Sequence, residues 1–342
     1  MIDMKTADFS RHLSYFLTRH LPGTLNVSGN TIASYRDTYK LFLTFWEEQY
    51  HIRPEKLSIS MITQNTVLKF LDWLELERGC SISTRNQRLA ALHSFFRHVQ
   101  RESPENLYEI QRILSIPVKK GPRPFIKFMT VDEVEILLAQ PDLSSKSGRR
   151  DLTLLALMYD SGARVQEIID LQFQDIRVQK PATINLHGKG NKFRRIPIMK
   201  NTSTLIKQYI DEQKISYRYL QDDSPLFHNQ QKQKLTRKGV SYILKKYVDS
   251  ARKNPAFTRN EKITCHVLRH SRAAHMLQAG IPLIYIRDFL GHSSVTSTEI
   301  YARLDDKIKR KAIEEAYVDL NVPDYPSWQE DADLMEWLSK LV

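Results

Sequence analysis

Four clusters in the chain combine residue types that can act on a phosphate ester: Ser161-Gly-Ala-Arg164-Val-Gln-Glu167, Gly188-Lys189-Gly190-Asn191, His266-Val-Leu-Arg269-His270, and Leu290-Gly-His292 followed nine residues later by Tyr301. Cutting a phosphodiester takes a nucleophile, positive charge on the non-bridging oxygens and a proton for the leaving oxygen. Tyr301 supplies a phenolic oxygen whose ordinary pKa of about 10 leaves it neutral at pH 7, so it needs cations or a base beside it. Arg164 and Arg269 can supply that field, because guanidinium forks match two phosphate oxygens and stay charged. Lys189, at the tip of a short turn, is a flexible donor suited to the departing 5′ oxygen. His266 and His292 can shuttle the tyrosine proton and bond the phosphate.

Singly, each cluster also has a structural reading. Arg164 suits a solvated helix start, the glycines around Lys189 suit a plain turn, and Tyr301 suits a core tyrosine with its hydroxyl at the edge. His266 and His270 are spaced like metal ligands on a helix, but Val267 stands where a zinc-protease motif needs Glu and no third ligand is near, so no metal site is predicted.

Taken together, the order Gly-x-Arg, Gly-Lys-Gly, His-x-x-Arg, Gly-His, Tyr resembles the tyrosine recombinase (phage integrase) family, and the stretch from His266 to Arg303 resembles its Xer and transposon-borne branch. The resemblance extends over essentially the whole chain. It implies a helical SAM-like amino-terminal DNA-binding domain, a basic linker and a catalytic domain that close around a duplex. It also implies a site-specific recombinase that forms a 3′-phosphotyrosyl intermediate and a free 5′ hydroxyl, exchanges strands through a Holliday junction, and uses neither ATP nor any metal or cofactor. The catalytic set it implies is Tyr301, Arg164, Lys189, His266, Arg269 and His292. Lys192 ranks below Lys189, since the family's lysine lies between the two glycines. Glu167 is expected to orient or bury, and His270 to be secondary or structural. The implied partners are double-stranded DNA recombination sites, three further copies in a tetramer on two duplexes, and accessory DNA-bending or directionality proteins. A type IB topoisomerase, which does not pair two sites, and a catalytically silent DNA-binding protein are the alternatives.

The elements that must position these groups are legible in hydrophobic periodicity. Before residue 115 the pattern is helical throughout: a segment near 7 to 20, then Ile32, Tyr35, Tyr39, Phe42 and Trp46, then Val67, Phe70, Leu71 and Leu74, then Leu89, Leu92, Phe96 and Val99. Asn30 or Thr31 is expected to cap the second of these helices and Ser83 or Thr84 the fourth, with Arg78-Gly79-Cys80 breaking the chain between the third and the fourth. Residues 115 to 128 hold three prolines and four basic residues and cannot continue a helix. Thr130-Val-Asp-Glu133 then reads as a capping box opening a second domain.

That domain is expected to be mainly α with a small antiparallel sheet, an α+β arrangement. Helices are predicted near 131–140, 150–160, 202–219, 236–252, 266–279, 282–290 and 305–317. Strand-like runs at Thr183–Leu186 and Phe193–Ile198 flank a hairpin turn. The expected domains are 1–114, a linker 115–128, a catalytic domain 129–320, and an acidic tail 321–342.

The composition agrees with a polyanionic partner: 51 Lys+Arg against 39 Asp+Glu give +12, and the tail, with five acidic residues and one lysine, leaves +16 on the rest. Candidate DNA contacts are Tyr35, Arg36 and Lys40, the helix start Thr84, Arg85, Asn86 and Arg88, the linker residues Lys119, Lys120 and Arg123, and Arg237 and Lys238 at a further helix start followed by Lys245 and Lys246. In the tail, Leu334, Trp337, Leu338 and Leu341 form an apolar helix face, expected to dock on a neighbouring subunit. Two distant cysteines, Cys80 and Cys265, with no Cys-x-x-Cys pair and no signal-like or membrane-spanning run, suit a reducing compartment. The expected location is cytoplasmic, at the nucleoid.

Overall fold

The computed structural model describes residues 7–121, 126–188, 192–216, 221–292, 294, 296–301 and 331–341. The chain divides into two compact units, Met1–Pro124 and Phe125–Val342.

The first unit is helical: α1 (Phe9–Tyr15) runs into a π-helical turn (Phe16–Thr24), followed by α2 (Gly29–Tyr50), α3 (Gln64–Leu76), α4 (Ile82–Val99) and α5 (Leu107–Leu114). The apolar stripes converge on one aromatic core in which Phe9, Phe16, Tyr39, Phe42, Phe70, Phe95 and Phe96 are fully buried. The Tyr39 hydroxyl is satisfied by the Ala91 carbonyl at 2.8 Å, as a buried phenol requires. Gly79, at φ +61°, turns the chain between α3 and α4. The caps differ from the sequence expectation. Ser28, not Asn30 or Thr31, accepts from the third amide of α2, and Ser81, not Ser83 or Thr84, does so for α4. The apolar period locates a helix but not its first turn, where any of several neighbouring hydroxyl residues can cap.

The second unit begins with the Thr130/Glu133 capping box at the start of α6 (Val131–Leu138), with both reciprocal bonds made. Then come α7 (Lys146–Ser161), α8 (Val165–Asp170), a sheet of β1 (Ile176–Arg177), β2 (Thr183–Gly188) and β3 (Lys192–Pro197), α9 (Lys200–Ser216), α10 (Arg237–Ala251), α11 (Cys265–Gln278), α12 (Leu283–Leu290) and the short α13 (Thr296–Glu299). The sheet is antiparallel in the order β1-β2-β3, with Ile184 opposite Ile196, Leu186 opposite Arg194 and Gly188 opposite Lys192. The two-residue β1 was not expected; it is too short to show an alternation. Ile184, Leu186 and Ile196 face a core shared with α7, α10 and α11. The helix expected over 305–317 lies outside the described residues. In the tail, Ala332–Ser339 is helical, capped by Asp331, and Leu334, Trp337, Leu338 and Leu341 are exposed.

Candidate active site

Helix α7 ends at Gly162, whose φ of +55° reverses the chain; a Cβ there would lie 2.9 Å from Leu290 Cδ2, so the turn also needs a residue without a side chain. The reversal places Arg164 at the start of α8. Its backbone N–H donates to Glu167 Oε2 at 2.7 Å, its Nη1 to Glu167 Oε1 at 2.9 Å and its Nη2 to the Gly291 carbonyl at 3.2 Å. Arg269, on α11 and 4% exposed, donates to the carbonyls of Gly162 and Leu290, each at 2.7 Å. The Arg269 guanidinium is thus held by the ends of α7 and α12, and that of Arg164 by the end of α12, where helical carbonyls lack intrahelical partners.

Gly291, at φ +65°, ends α12 and sets up His292. The His292 amide returns to the Arg287 carbonyl at 3.0 Å, and its Nδ1 is 3.0 Å from the Thr298 hydroxyl. Tyr301 is fully buried beside Ala273, Met276, Ile286 and Leu290, and its hydroxyl oxygen lies 2.7 Å from His270 Nδ1. In the tautomer with the proton on Nε2, the phenol donates to Nδ1. The His266 and His270 rings are adjacent on one face of α11, 6.2 Å between centres.

Burial raises the Tyr301 phenol to about 12, against the pull of Arg269 and Arg164. Both cations therefore act electrostatically on the phenol. Burial likewise lowers Arg269 to about 10, with Arg164 adding repulsion, so it is still charged at pH 7. His270 is brought down to about 4 by burial, then by His266 and Arg269, and His292 to about 4 by burial and the surrounding arginines. His266 is lowered in the same way. The site is a cationic pocket with neutral imidazoles, suited to receiving an anion and passing protons without adding charge.

Five of the six residues expected to be catalytic, Arg164, His266, Arg269, His292 and Tyr301, are brought to this one pocket; Lys189 lies outside the described residues. His270, ranked as secondary or structural, is the histidine in contact with the tyrosine oxygen. Its position four residues after His266, on the same helical face, was the available signal. Arg194 was missed entirely. It projects from the inward face of β3 and pairs with Glu167 through Nη1 at 2.8 Å and Nη2 at 2.6 Å. The inward alternation of Arg194, Ile196 and Ile198 marked it as a buried charge needing a partner. Glu167, 4% exposed, has burial working to raise its pKa, but Arg194 and Arg164 outweigh that and keep it ionised below the usual range.

The candidate DNA contacts separate into exposed and internally engaged side chains. Arg36, Lys40, Lys120, Arg237 and Lys238 are exposed, as are Lys245 and Lys246. Tyr35 is half-buried and stacks on Phe16. Arg85 is buried, with Nε 3.2 Å from Glu75. Arg88 donates to the Ser34 carbonyl and the Thr38 hydroxyl. Asn86 bonds both backbone groups of Lys119, whose Nζ pairs with Glu75 at 2.6 Å. Thr84 sits in the first turn of α4, its amide bonded to Ser81, and Arg237 donates to Gln166 at 2.7 Å. Arg123 lies outside the described residues. Among the described residues no three His, Cys, Asp or Glu side chains group as metal ligands would, and no helix is long and apolar enough to cross a membrane.

The chain is similar to known proteins over most of its length. Residues 127–307 match the phage integrase family, and residues 16–103 match its N-terminal SAM-like domain. The chain is 36% identical over 309 residues to the integrase/recombinase y4rC of Sinorhizobium fredii, covering 90% of this chain and 92% of that one. It is 32% identical to the tyrosine recombinase XerC of Herpetosiphon aurantiacus, over 86% of this chain and 91% of the relative. In fold it is similar to the XerH site-specific recombinase in a post-cleavage complex with palindromic difH substrate, with a TM-score of 0.69, 23% identity, and coverage of 84% of this chain and 80% of that one. With both family domains matched in order along the chain, and with a tyrosine, two arginines and three histidines gathered in the second, the protein belongs to the phage integrase family of tyrosine site-specific recombinases.

Proposed function

We propose that this recombinase cuts DNA by attack of the Tyr301 oxygen on a phosphorus atom held by Arg164 and Arg269. The observation that carries the reading is the placement of the phenol at 2.7 Å from His270 within the field of both arginines. The P–O5′ bond breaks as the O–P bond to tyrosine forms, leaving a 3′-phosphotyrosyl enzyme and a 5′ hydroxyl. The tyrosine proton passes to the neutral histidine pair His270 and His266, and Lys189 protonates the leaving 5′ oxygen. His292, steadied by Thr298, donates to a non-bridging oxygen. A second 5′ hydroxyl attacks the ester, so rejoining draws on the energy kept in that bond and needs neither ATP nor a metal.

Residues 1–114 and the linker 115–128 grip the duplex through exposed Arg36, Lys40 and Lys120, and the catalytic domain 129–320 does so through Arg237 and Lys238. The apolar face of the tail 321–342 docks on a neighbouring copy to build a tetramer on two duplexes. The setting is the cytoplasm, at the nucleoid, and the target sites belong to a mobile element or a chromosome, with accessory DNA-bending or directionality proteins acting there.

A nicked suicide duplex, in which the 5′ fragment diffuses away after cleavage, tests the reaction. Wild type accumulates an adduct whose mass maps to Tyr301; an adduct elsewhere, or one that survives Tyr301→Phe, overturns the reading.

A further inference from the structure

We propose that Arg194 is a positioning residue for cleavage, a latch that ties the β2–β3 hairpin to Arg164 and to the carbonyl end of α12. The inference rests on the reading of the pocket given above and concerns a side chain outside its reacting set.

Three arginines from three different elements each donate to one of three successive carbonyls: Arg194 Nε to Phe289 at 3.2 Å, Arg269 Nη2 to Leu290 at 2.7 Å and Arg164 Nη2 to Gly291 at 3.2 Å. The next residue is His292. Fixing these carbonyls fixes where His292 stands relative to both phosphate-holding arginines.

Arg194 also holds Glu167 with both terminal nitrogens, whereas the Arg164 side chain reaches that carboxylate through Nη1 alone. The division matters. A carboxylate buried this deeply must be fully paired, and the fork of Arg194 satisfies it without drawing the Arg164 guanidinium into a closed two-point bond. The remaining N–H groups of Arg164 are thereby left for a phosphate. With Arg194 removed, Glu167 would recruit Arg164 as its sole guanidinium among the described residues and pull it from the phosphate and from Gly291.

Gly291 is fitted to this arrangement. A Cβ there would stand 2.9 Å from Arg194 Nη1, so the guanidinium lies against bare backbone. Since Arg194 lies on β3, the same bonds tie that strand to the pocket. Strand β3 and the two arginines of the pocket thus share one hydrogen-bonded frame. Loss of such registration by about 1 Å is enough to cost on the order of 10²-fold in rate.

The test compares Arg194→Met and Arg194→Lys with wild type in single-turnover adduct formation on a suicide duplex, alongside thermal melting and duplex affinity. The expected result is a fall of roughly 100-fold for R194M and roughly tenfold for R194K, with affinity held within threefold, because a lysine keeps the charge beside Glu167 but not the fork. The same substitution is then made in an Arg164→Ala background, where a latch acting through Arg164 has little left to lose. There R194M should slow the residual reaction by less than about threefold. Rates of both single variants within threefold of wild type, or an equal factor in both backgrounds, overturn the latch while leaving the function intact. Absence of any adduct in wild type overturns the underlying reading and the latch with it. If R194M melts before assay temperature, R194K carries the comparison alone.

Discussion

The Tyr301 hydroxyl and His270 Nδ1 meet at 2.7 Å inside a pocket where the phenol is pushed up to about 12 and the imidazole down to about 4. Both partners are neutral at pH 7, so the contact orients the phenol without ionising it. His270→Ala should slow adduct formation by about 10²-fold, the range for loss of a positioned proton-transfer group. His270→Asn, whose amide falls near the place of Nδ1, should recover part of that loss. Single-turnover rates of the two variants check both statements, and equal rates for Ala and Asn would assign His270 to packing alone.

Gly291 and Gly280 offer a controlled comparison. Both have positive φ, but a Cβ at Gly280 meets nothing within 4 Å, whereas one at Gly291 meets Arg194 at 2.9 Å. Gly280→Ala should cost only the backbone strain, about 1 kcal/mol. Gly291→Ala should cost about 2–3 kcal/mol and also slow cleavage about tenfold. Denaturant unfolding and adduct kinetics on the two variants separate strain from displacement of Arg194.

Acid stability follows from the histidines. His270 and His292 protonate near 4 in the folded chain, against about 6.5 when unfolded. Between those values the unfolded chain binds more protons, so the stability of the second unit should hold above pH 6.5, fall as pH drops toward 4, and stop falling from this cause below it. Each histidine contributes on the order of 1–3 kcal/mol over that window. Unfolding midpoints from pH 4 to 7.5 for wild type and His292→Gln check it: the variant should show a shallower slope.

Substitutions in the first unit should divide according to burial. Arg85→Ala leaves Glu75 with Lys119 alone and removes a buried side chain, and should destabilise the fold by about 1–2 kcal/mol. Arg36→Ala and Lys40→Ala should leave stability within about 0.5 kcal/mol, while each weakens duplex binding and lowers its salt slope by about one. Melting curves and affinities over a salt series distinguish the two classes.

Much of this architecture was readable before any coordinates. The stripes at Tyr39, Phe42 and Trp46 and at Leu89, Leu92 and Phe96 are buried as their period demands, because a helix face excluded from water must be apolar at three- and four-residue steps. The pairing of Arg164, Arg269 and Tyr301 in one pocket was legible from motif order. Other features were not. Arg85 reads like Arg36 in sequence, and only the approach of Glu75 from α3 determines that one is internal and the other free. His270 and Arg194 escaped because their roles depend on partners 31 and 27 residues away, brought close by α11 and β3. The alternation around Arg194 did contain the signal of a buried charge.

The central claim is that the Tyr301 oxygen takes the phosphorus. Digestion of the adduct formed on a nicked suicide duplex, followed by mass mapping of the nucleotide-bearing peptide, tests it most directly. The expected result is a single 3′-phosphotyrosyl linkage at Tyr301 with a free 5′ hydroxyl on the released strand, and no adduct for Tyr301→Phe. A linkage at another residue, a 5′-phosphoryl linkage, or cleavage that persists in Tyr301→Phe would contradict it.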